Sequence, residues 1–243
     1  MSATMVVGLE VLKKVFKGVN VLNSEAKVIF SEDGFKVYTV EPGNVALVQA
    51  EIPKNACEAY TLDNEIEVGL DIKDALNILK IGRSKDLVDF VLDEQTAKFR
   101  FGKTEYTTAT YHTFDTKKFN FDSLDLPAKI KVSGEDFKRG VQVADQVGKD
   151  VLFLADGETF IMESKGNVDR VKIDFKDVLI DYNKEKAKSR YSLEYLKAMV
   201  SVLKAMDVVE IRMGDNLPLK LGFLSDECSL MYVLAPIVVE EED

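Results

Sequence analysis

The 243-residue sequence predicts an α+β protein of two similar domains, each mostly antiparallel sheet with two helices covering one face. Three observations predict it. The chain repeats itself: Gly43-Asn44-Val45 with Val48 and Ile52 returns as Gly166-Asn167-Val168 with Val171 and Phe175, and Asp33-Gly34 returns as Asp156-Gly157, all at an offset of 123. A second stretch, Ile72, Ala75, Val88, Phe90 and Leu92, is answered at an offset of 121 by Leu193, Leu196, Val209, Ile211 and Met213. Four segments carry a helical period, and almost everything between them reads as strand broken by turns.

The first helix is expected over Leu9 to Val19, where Leu9, Leu12, Phe16 and Val19 form one apolar stripe and Glu10, Lys13, Lys14 and Lys17 face away. Ala26 to Phe30 and Phe35 to Val40 flank Ser31-Glu32-Asp33-Gly34, a hairpin with glycine where positive φ is tolerated. Strands follow at Val45 to Ile52 and Glu65 to Leu70. The second helix, Ile72 to Arg83, buries Ile72, Ala75, Leu76 and Leu79. Leu87 to Leu92, Ala97 to Phe101 and Glu105 to Tyr111 continue as strands. In the second half Ser133-Gly134-Glu135-Asp136 reads as a helix start with acids in the first turn, and the helix runs on to Lys149 with Phe137, Val141, Ala144 and Val147 inward. Strands are expected at Val151 to Leu154, Thr159 to Ser164 and Val168 to Phe175. A last helix from Ser192 to Lys204 buries Leu193, Leu196, Met199, Val200 and Leu203, and strands at Val208 to Met213, Leu219 to Phe223 and Leu230 to Leu234 complete the echo.

The repeat divides the chain into residues 1–117 and 128–243, joined by a connector at 118–127. The stretch Thr116 to Pro127 has neither period and ends in proline, so it reads as extended; Phe119, Phe121, Leu124 and Leu126 make it too apolar for a freely solvated linker. The acidic tail Val238 to Asp243 reads as a solvated terminus. No apolar run approaches the ~20 residues of a membrane helix, and the start lacks a signal-peptide pattern, so a cytoplasmic protein with no membrane partner is expected. Cys57 and Cys228 fall in different halves, which suits two reduced thiols.

The formal charge is −10, yet the four helical segments hold eleven Lys and Arg against six Asp and Glu, leaving −15 for the remainder. If the helices share one face, their cations make a stripe suited to phosphates, and the acidic outside repels nonspecific DNA. Without an arginine-rich recognition helix or an aromatic platform, the stripe supports sequence-independent duplex contact. Catalytic chemistry is sparse. A single histidine, His112, and two distant cysteines leave little for a nucleophile or a metal, so neither metal nor cofactor is expected. Gly102-Lys103-Thr104 resembles the end of a phosphate loop, but Ala97 stands where its first glycine belongs; it reads as a turn. Asp122 and Asp125 lie on the connector without a readable polar pocket.

LKKVFKGV at Leu12 to Val19, SEDGFKVYTVEPGNVALVQ at Ser31 to Gln49, YSLEYLKAM at Tyr191 to Met199, DNLPLKL at Asp215 to Leu221 and YVLAP at Tyr232 to Pro236 together resemble the sliding clamp of archaea and eukaryotes, the proliferating cell nuclear antigen family. LDLPAKIKVSG at Leu124 to Gly134 looks archaeal. The resemblance runs end to end and implies the DNA clamp fold: a closed homotrimeric ring whose helices line a hole around double-stranded DNA, and which tethers DNA polymerase, clamp loader, ligase and flap nuclease through short peptide motifs. The resemblance implies a processivity factor of replication and repair, not an enzyme, placed in the cytoplasm with the nucleoid if archaeal and in the nucleus if eukaryotic.

By residue matching the resemblance implies a DNA-facing set of Lys13, Lys14 and Lys17, Lys73 and Lys80, Arg139 and Lys149, and Lys197 and Lys204; Gln142 and Gln146 fall where many relatives are basic. It implies a client-peptide site from Val40, Val45 and Leu47, from Leu124 and Leu126 on the connector, and from Pro218, Val233, Ala235 and Pro236, with Ile237 where a cation is usual. Subunits would join edge to edge through Glu105, Tyr106, Thr107, Thr108, Ala109, Thr110 and Tyr111 on one side and, within Val168 to Phe175, Arg170, Val171, Lys172, Ile173, Asp174 and Phe175 on the other. The alternatives are one subunit of a heterotrimeric or checkpoint-type clamp and, more distantly, an enzyme with its site between the halves.

Overall fold

The structure is a computed structural model that describes residues 2–112, 121–204 and 207–238. It divides into two compact units, Met1–Lys118 with Ser225–Leu230 and Phe119–Leu224 with Met231–Asp243. The first half runs β1 (Ser2–Gly8), α1 (Leu9–Asn20), β2 (Glu25–Ser31), β3 (Gly34–Val40), β4 (Ala46–Pro53), β5 (Ala59–Leu62), β6 (Ile66–Asp71), α2 (Ile72–Leu79), β7 (Leu87–Asp93), β8 (Thr96–Phe101) and β9 (Thr104–Ala109). The second repeats the order as β10 (Ala128–Ser133), α3 (Gly134–Asp145), β11 (Asp150–Ala155), β12 (Phe160–Lys165), β13 (Arg170–Asp174), β14 (Leu179–Tyr182), β15 (Ala187–Ser192), α4 (Leu193–Val200), β16 (Val208–Met213), β17 (Leu219–Leu224) and β18 (Ser229–Leu234). Even the 3-10 turn after β4, Lys54–Ala56, returns after β13 as Lys176–Val178.

The first unit holds the neighbour orders β5-β1-β7-β8-β9 and β4-β3-β2-β6; the second holds β14-β10-β16-β17-β18 and β13-β12-β11-β15. The pairs within each unit are antiparallel, as in Val28 opposite Val37 and Ile211 opposite Leu221. Alternation puts one face of each strand inward. Ala3, Met5 and Val7 of β1 are at most 1% exposed, and their counterparts Ala128, Ile130 and Val132 of β10 are fully buried. Helix α1 packs on β3 and β4 and beside α2, while α3 packs on β12 and beside α4. Aromatic rings fill both interiors: Phe16, Phe35, Phe90 and Phe99 in the first, Phe137, Phe153, Phe160 and Tyr191 in the second. Each such ring contributes about 1.5–3 kcal/mol through apolar burial.

Five strands escaped the sequence reading: β1, β5, β10, β14 and β15. β15 shows why, because its inward positions are Ala187, Ser189 and Tyr191, and a buried serine carries no apolar signal. Three of the helices are also shorter than expected. α2 stops at Leu79, α3 at Asp145 and α4 at Val200, so Lys80, Arg83, Lys149 and Lys204 lie beyond helix ends rather than on polar faces. The helices proper therefore carry seven cations against six acids, close to neutral. Lys80, the residue directly after α2, sits where the backbone dipole favours a cation. The expected start at Ser133 holds: its hydroxyl accepts the Asp136 amide at 3.1 Å, while Asp71 caps α2 through the Lys73 amide at 2.9 Å.

Candidate nucleic-acid and partner interfaces

The expected DNA-facing cations divide by environment. Lys17, Lys73, Lys80, Arg139, Lys149 and Lys204 are exposed. Lys13 is half-buried and paired with Glu10 at 2.8 Å, and Lys197 bridges to Asp145 at 2.7 Å, tying α4 to α3. Lys14 departs from the expected polar face: it is 8% exposed, because the buried side of α1 is widened by Val11 and Val15 to include its position. Lys138 is likewise turned to structural use, donating from Nζ to the Leu203 carbonyl at 3.2 Å. The exposed set has the chemistry that phosphate contact without base readout requires, cations on long flexible stems.

The two edge segments are placed by their ladders. β9 ends the first unit's five-stranded sheet and β13 ends the second unit's four-stranded one. The bonds Thr110 N to Gln95 O and Phe175 N to Phe160 O, each 2.9 Å, fix the parity of the two ladders. The amides of Glu105, Thr107 and Ala109, and of Arg170, Lys172 and Asp174, consequently point away from the neighbouring strand. Arg100 spans Asp89 at 3.4 Å and Glu105 at 2.7 Å, and its hydrogen bond holds the Glu105 carboxyl below the usual carboxylate range. Arg170 pairs with Glu163 across β12 and β13.

Two members of these segments belong elsewhere. The strand expected to reach Tyr111 stops at Ala109, and the backbone of Tyr111 turns back to Gly69. Phe175 is 1% exposed, its ring 5.2 Å from that of Phe160, so it is a core residue. Burial raises the Tyr111 hydroxyl pKa, with Glu25 and Asp71 adding to it.

The client-site candidates also separate. In the first unit Val40 lies opposite Leu47 on β3 and β4, and both are half-buried. The intervening loop is drawn tight by the Glu41 carboxylate, which accepts the Gly43 amide at 2.8 Å, and Asn44 takes φ 57°. That loop presents Val45 at 37% exposure. In the second unit Leu124, Pro218, Ala235 and Pro236 are half-buried, whereas Leu126 and Val233, at 4% and 6%, belong to the interior. Thr116 to Asn120 of the connector, Phe119 included, and Val239 to Asp243 of the tail lie outside the described residues, as does the Asp122 side chain. Val238 is exposed.

Sequence reasoning missed Lys220. It sits on β17 between Leu219 and Leu221, is 6% exposed and donates to the Phe121 carbonyl at 3.0 Å. Nothing in Leu-Lys-Leu announces a buried ammonium. Gly102 and Lys103 form the two-residue turn between β8 and β9, with Gly102 at φ 55°. His112 is exposed, and both cysteines are free thiols, Cys228 buried and Cys57 half-buried. Among the described residues no three of His, Cys, Asp and Glu gather as metal ligands would, and no helix is long and apolar enough to cross a membrane.

Comparison with known proteins places this architecture. Residues 2–125 match the family model for the proliferating cell nuclear antigen N-terminal domain. The chain is 35% identical to the DNA polymerase sliding clamp of Archaeoglobus fulgidus, covering 96% of this chain and 97% of that one. It is 30% identical to the sliding clamp of Methanococcoides burtonii over 93% and 94% of the two chains. A solved structure of A. fulgidus PCNA with the C-terminal region of FEN-1 bound superposes with a TM-score of 0.92 at 34% identity, covering 98% of this chain and all of that one. PCNA from Thermococcus kodakaraensis, 24% identical with a TM-score of 0.87 over 97% of this chain and all of that one, shares the fold. The chain belongs to the proliferating cell nuclear antigen family of DNA polymerase sliding clamps.

Proposed function

We propose that three copies of this chain close into a ring around double-stranded DNA and tether polymerase, clamp loader, ligase and flap nuclease to it, without catalysis of their own. The observation that carries this is the whole-length match, 35% identity over 96% of the chain, to a DNA polymerase sliding clamp. Clamp domains at 1–117 and 128–243, linked by 118–127, present the exposed cations of α1 to α4 and of their C-terminal ends to the phosphate backbone. Topology rather than affinity holds the duplex, so loose and salt-sensitive contacts suit sliding. Subunits join where the outward N–H groups of β9 donate to carbonyls of β13 on the next copy and β9 carbonyls accept from β13 N–H groups in return. Client peptides settle on the half-exposed apolar residues Val40, Val45, Leu47, Leu124, Pro218, Ala235 and Pro236. The protein works in the cytoplasm, on the chromosome.

Light scattering behind a sizing column, across a dilution series, tests the assembly. Three chains of 27.2 kDa, about 82 kDa, are expected, with primer extension by a cognate polymerase becoming processive when clamp and loader are added. A chain that stays monomeric at micromolar concentration and fails to stimulate the polymerase overturns the homotrimer. A monomer that assembles only with other clamp subunits makes it part of a heteromeric ring.

A further inference from the structure

On β17 the residues Leu219, Leu221 and Phe223 are fully buried in the second unit's core, so Lys220 points to the opposite face of the sheet. A lysine on a sheet's outer face is normally solvated, but this one is 6% exposed. The 3-10 turn Phe121–Ser123 of the connector lies against it: Lys220 Nζ donates to the Phe121 carbonyl at 3.0 Å and stands 6.0 Å from the centre of the Phe121 ring. Six residues on, the connector is tied again, where Asn183 Nδ2 donates to the Pro127 carbonyl at 2.7 Å. Leu124, half-exposed, lies between the two ties.

We propose that Lys220 is a positioning residue for client binding: it locks the connector turn at Phe121 so that Leu124 is held ready for an incoming apolar peptide anchor. This rests on the client-site reading above. A buried ammonium commits its surroundings, because a charge removed from water must keep its acceptors. A connector fixed before binding loses little freedom when the peptide arrives, and that preorganisation appears as affinity.

The test uses the full-length protein and a fluorescent peptide copying the FEN-1 C-terminal region of the A. fulgidus structure, read by anisotropy, with hydrogen exchange followed across residues 121–126. Lys220→Met keeps the apolar stem and removes the charge. Loss of one charge-assisted hydrogen bond weakens peptide binding about tenfold or more. It acts through faster release, and protection falls at 121–126 while β16 and β17 keep theirs and the mass of the assembly is unchanged. Lys220→Arg, which retains a cation able to reach the same carbonyl, recovers most of the affinity. Binding within twofold of wild type with unchanged exchange overturns the proposal, as does loss of protection throughout β16 and β17, which would make Lys220 a fold residue only. If the wild-type protein does not bind the peptide, the client-site reading falls and this proposal with it.

Discussion

Tyr111 and Gly69 hold each other through both backbone bonds, Gly69 N to Tyr111 O at 2.7 Å and Tyr111 N to Gly69 O at 3.0 Å, and the tyrosine ring covers the glycine so closely that a Cβ there would lie 2.0 Å from it. The bridge fastens the end of β9's chain to β6, the outermost strand beside β2. Gly69→Ala forces the ring off its seat and is expected to destabilise the protein by about 1–3 kcal/mol in urea unfolding. A variant as stable as wild type would mean the ring moves aside without cost.

Single prolines separate edge pairing from folding. The amides of Thr107 and Lys172 point out of their sheets, so Thr107→Pro or Lys172→Pro removes a donor from the proposed subunit contact and none from the ladders with β8 or β12. Either variant is expected to run near 27.2 kDa with its circular dichroism intact. Persistence of an 82 kDa species, three times that mass, in both would move the subunit contact elsewhere.

Among the cations, position dictates the phenotype. Replacing Lys17, Lys80 and Lys204 together by Ala is expected to lower the log–log salt dependence of DNA binding by up to about 3, with the assembly intact. Lys14→Ala, by contrast, alters a residue 8% exposed and is expected to lower the unfolding midpoint while leaving the salt slope alone. An unchanged slope in the triple variant would remove these residues from the DNA surface.

Acid sensitivity has a local source at the β11–β12 turn. The Asp156 carboxylate accepts the amides of Thr159 and Glu158, each at 2.8 Å, and these bonds, Thr159 first, hold its pKa below the ordinary value. A carboxyl depressed in the folded state stabilises above its unfolded pKa of about 3.9 and loses that contribution as pH falls through the folded value. Asp156→Ala is therefore expected to be less stable than wild type at neutral pH, the gap closing in denaturant titrations taken from about pH 5 to about pH 2. A gap that widens on acidification contradicts the assignment.

The sequence repeat made the duplicated plan legible because equivalent core positions keep apolar side chains, as Val88, Phe90 and Leu92 of β7 and Val209, Ile211 and Met213 of β16 do. It was less informative where the same residues serve different turns. Asp33 sits in a two-residue loop between β2 and β3, whereas its counterpart Asp156 opens a longer turn and caps it. Helix ends were overrun because Lys80, Lys149 and Lys204 continue a helical composition after the backbone has stopped. Lys14, Phe175 and Lys220 were misread or missed for one reason: residue type speaks to solvation on average, and burial of a given lysine or edge phenylalanine depends on neighbours distant in sequence.

The unpaired strands β9 and β13 also differ in sign. β9 exposes Glu105 among neutral residues, and β13 exposes Arg170 and Lys172 with Asp174, a net positive edge, Lys172 being without an ion pair among the described residues. Two β9 edges meeting would bring Glu105 carboxylates together, whereas β9 against β13 can set Glu105 opposite Arg170 or Lys172. Homotypic pairing of β9, the usual hazard of an open sheet edge, is thus discouraged by the strand's own charge, and a net positive edge such as β13 on a further copy is the partner that charge favours.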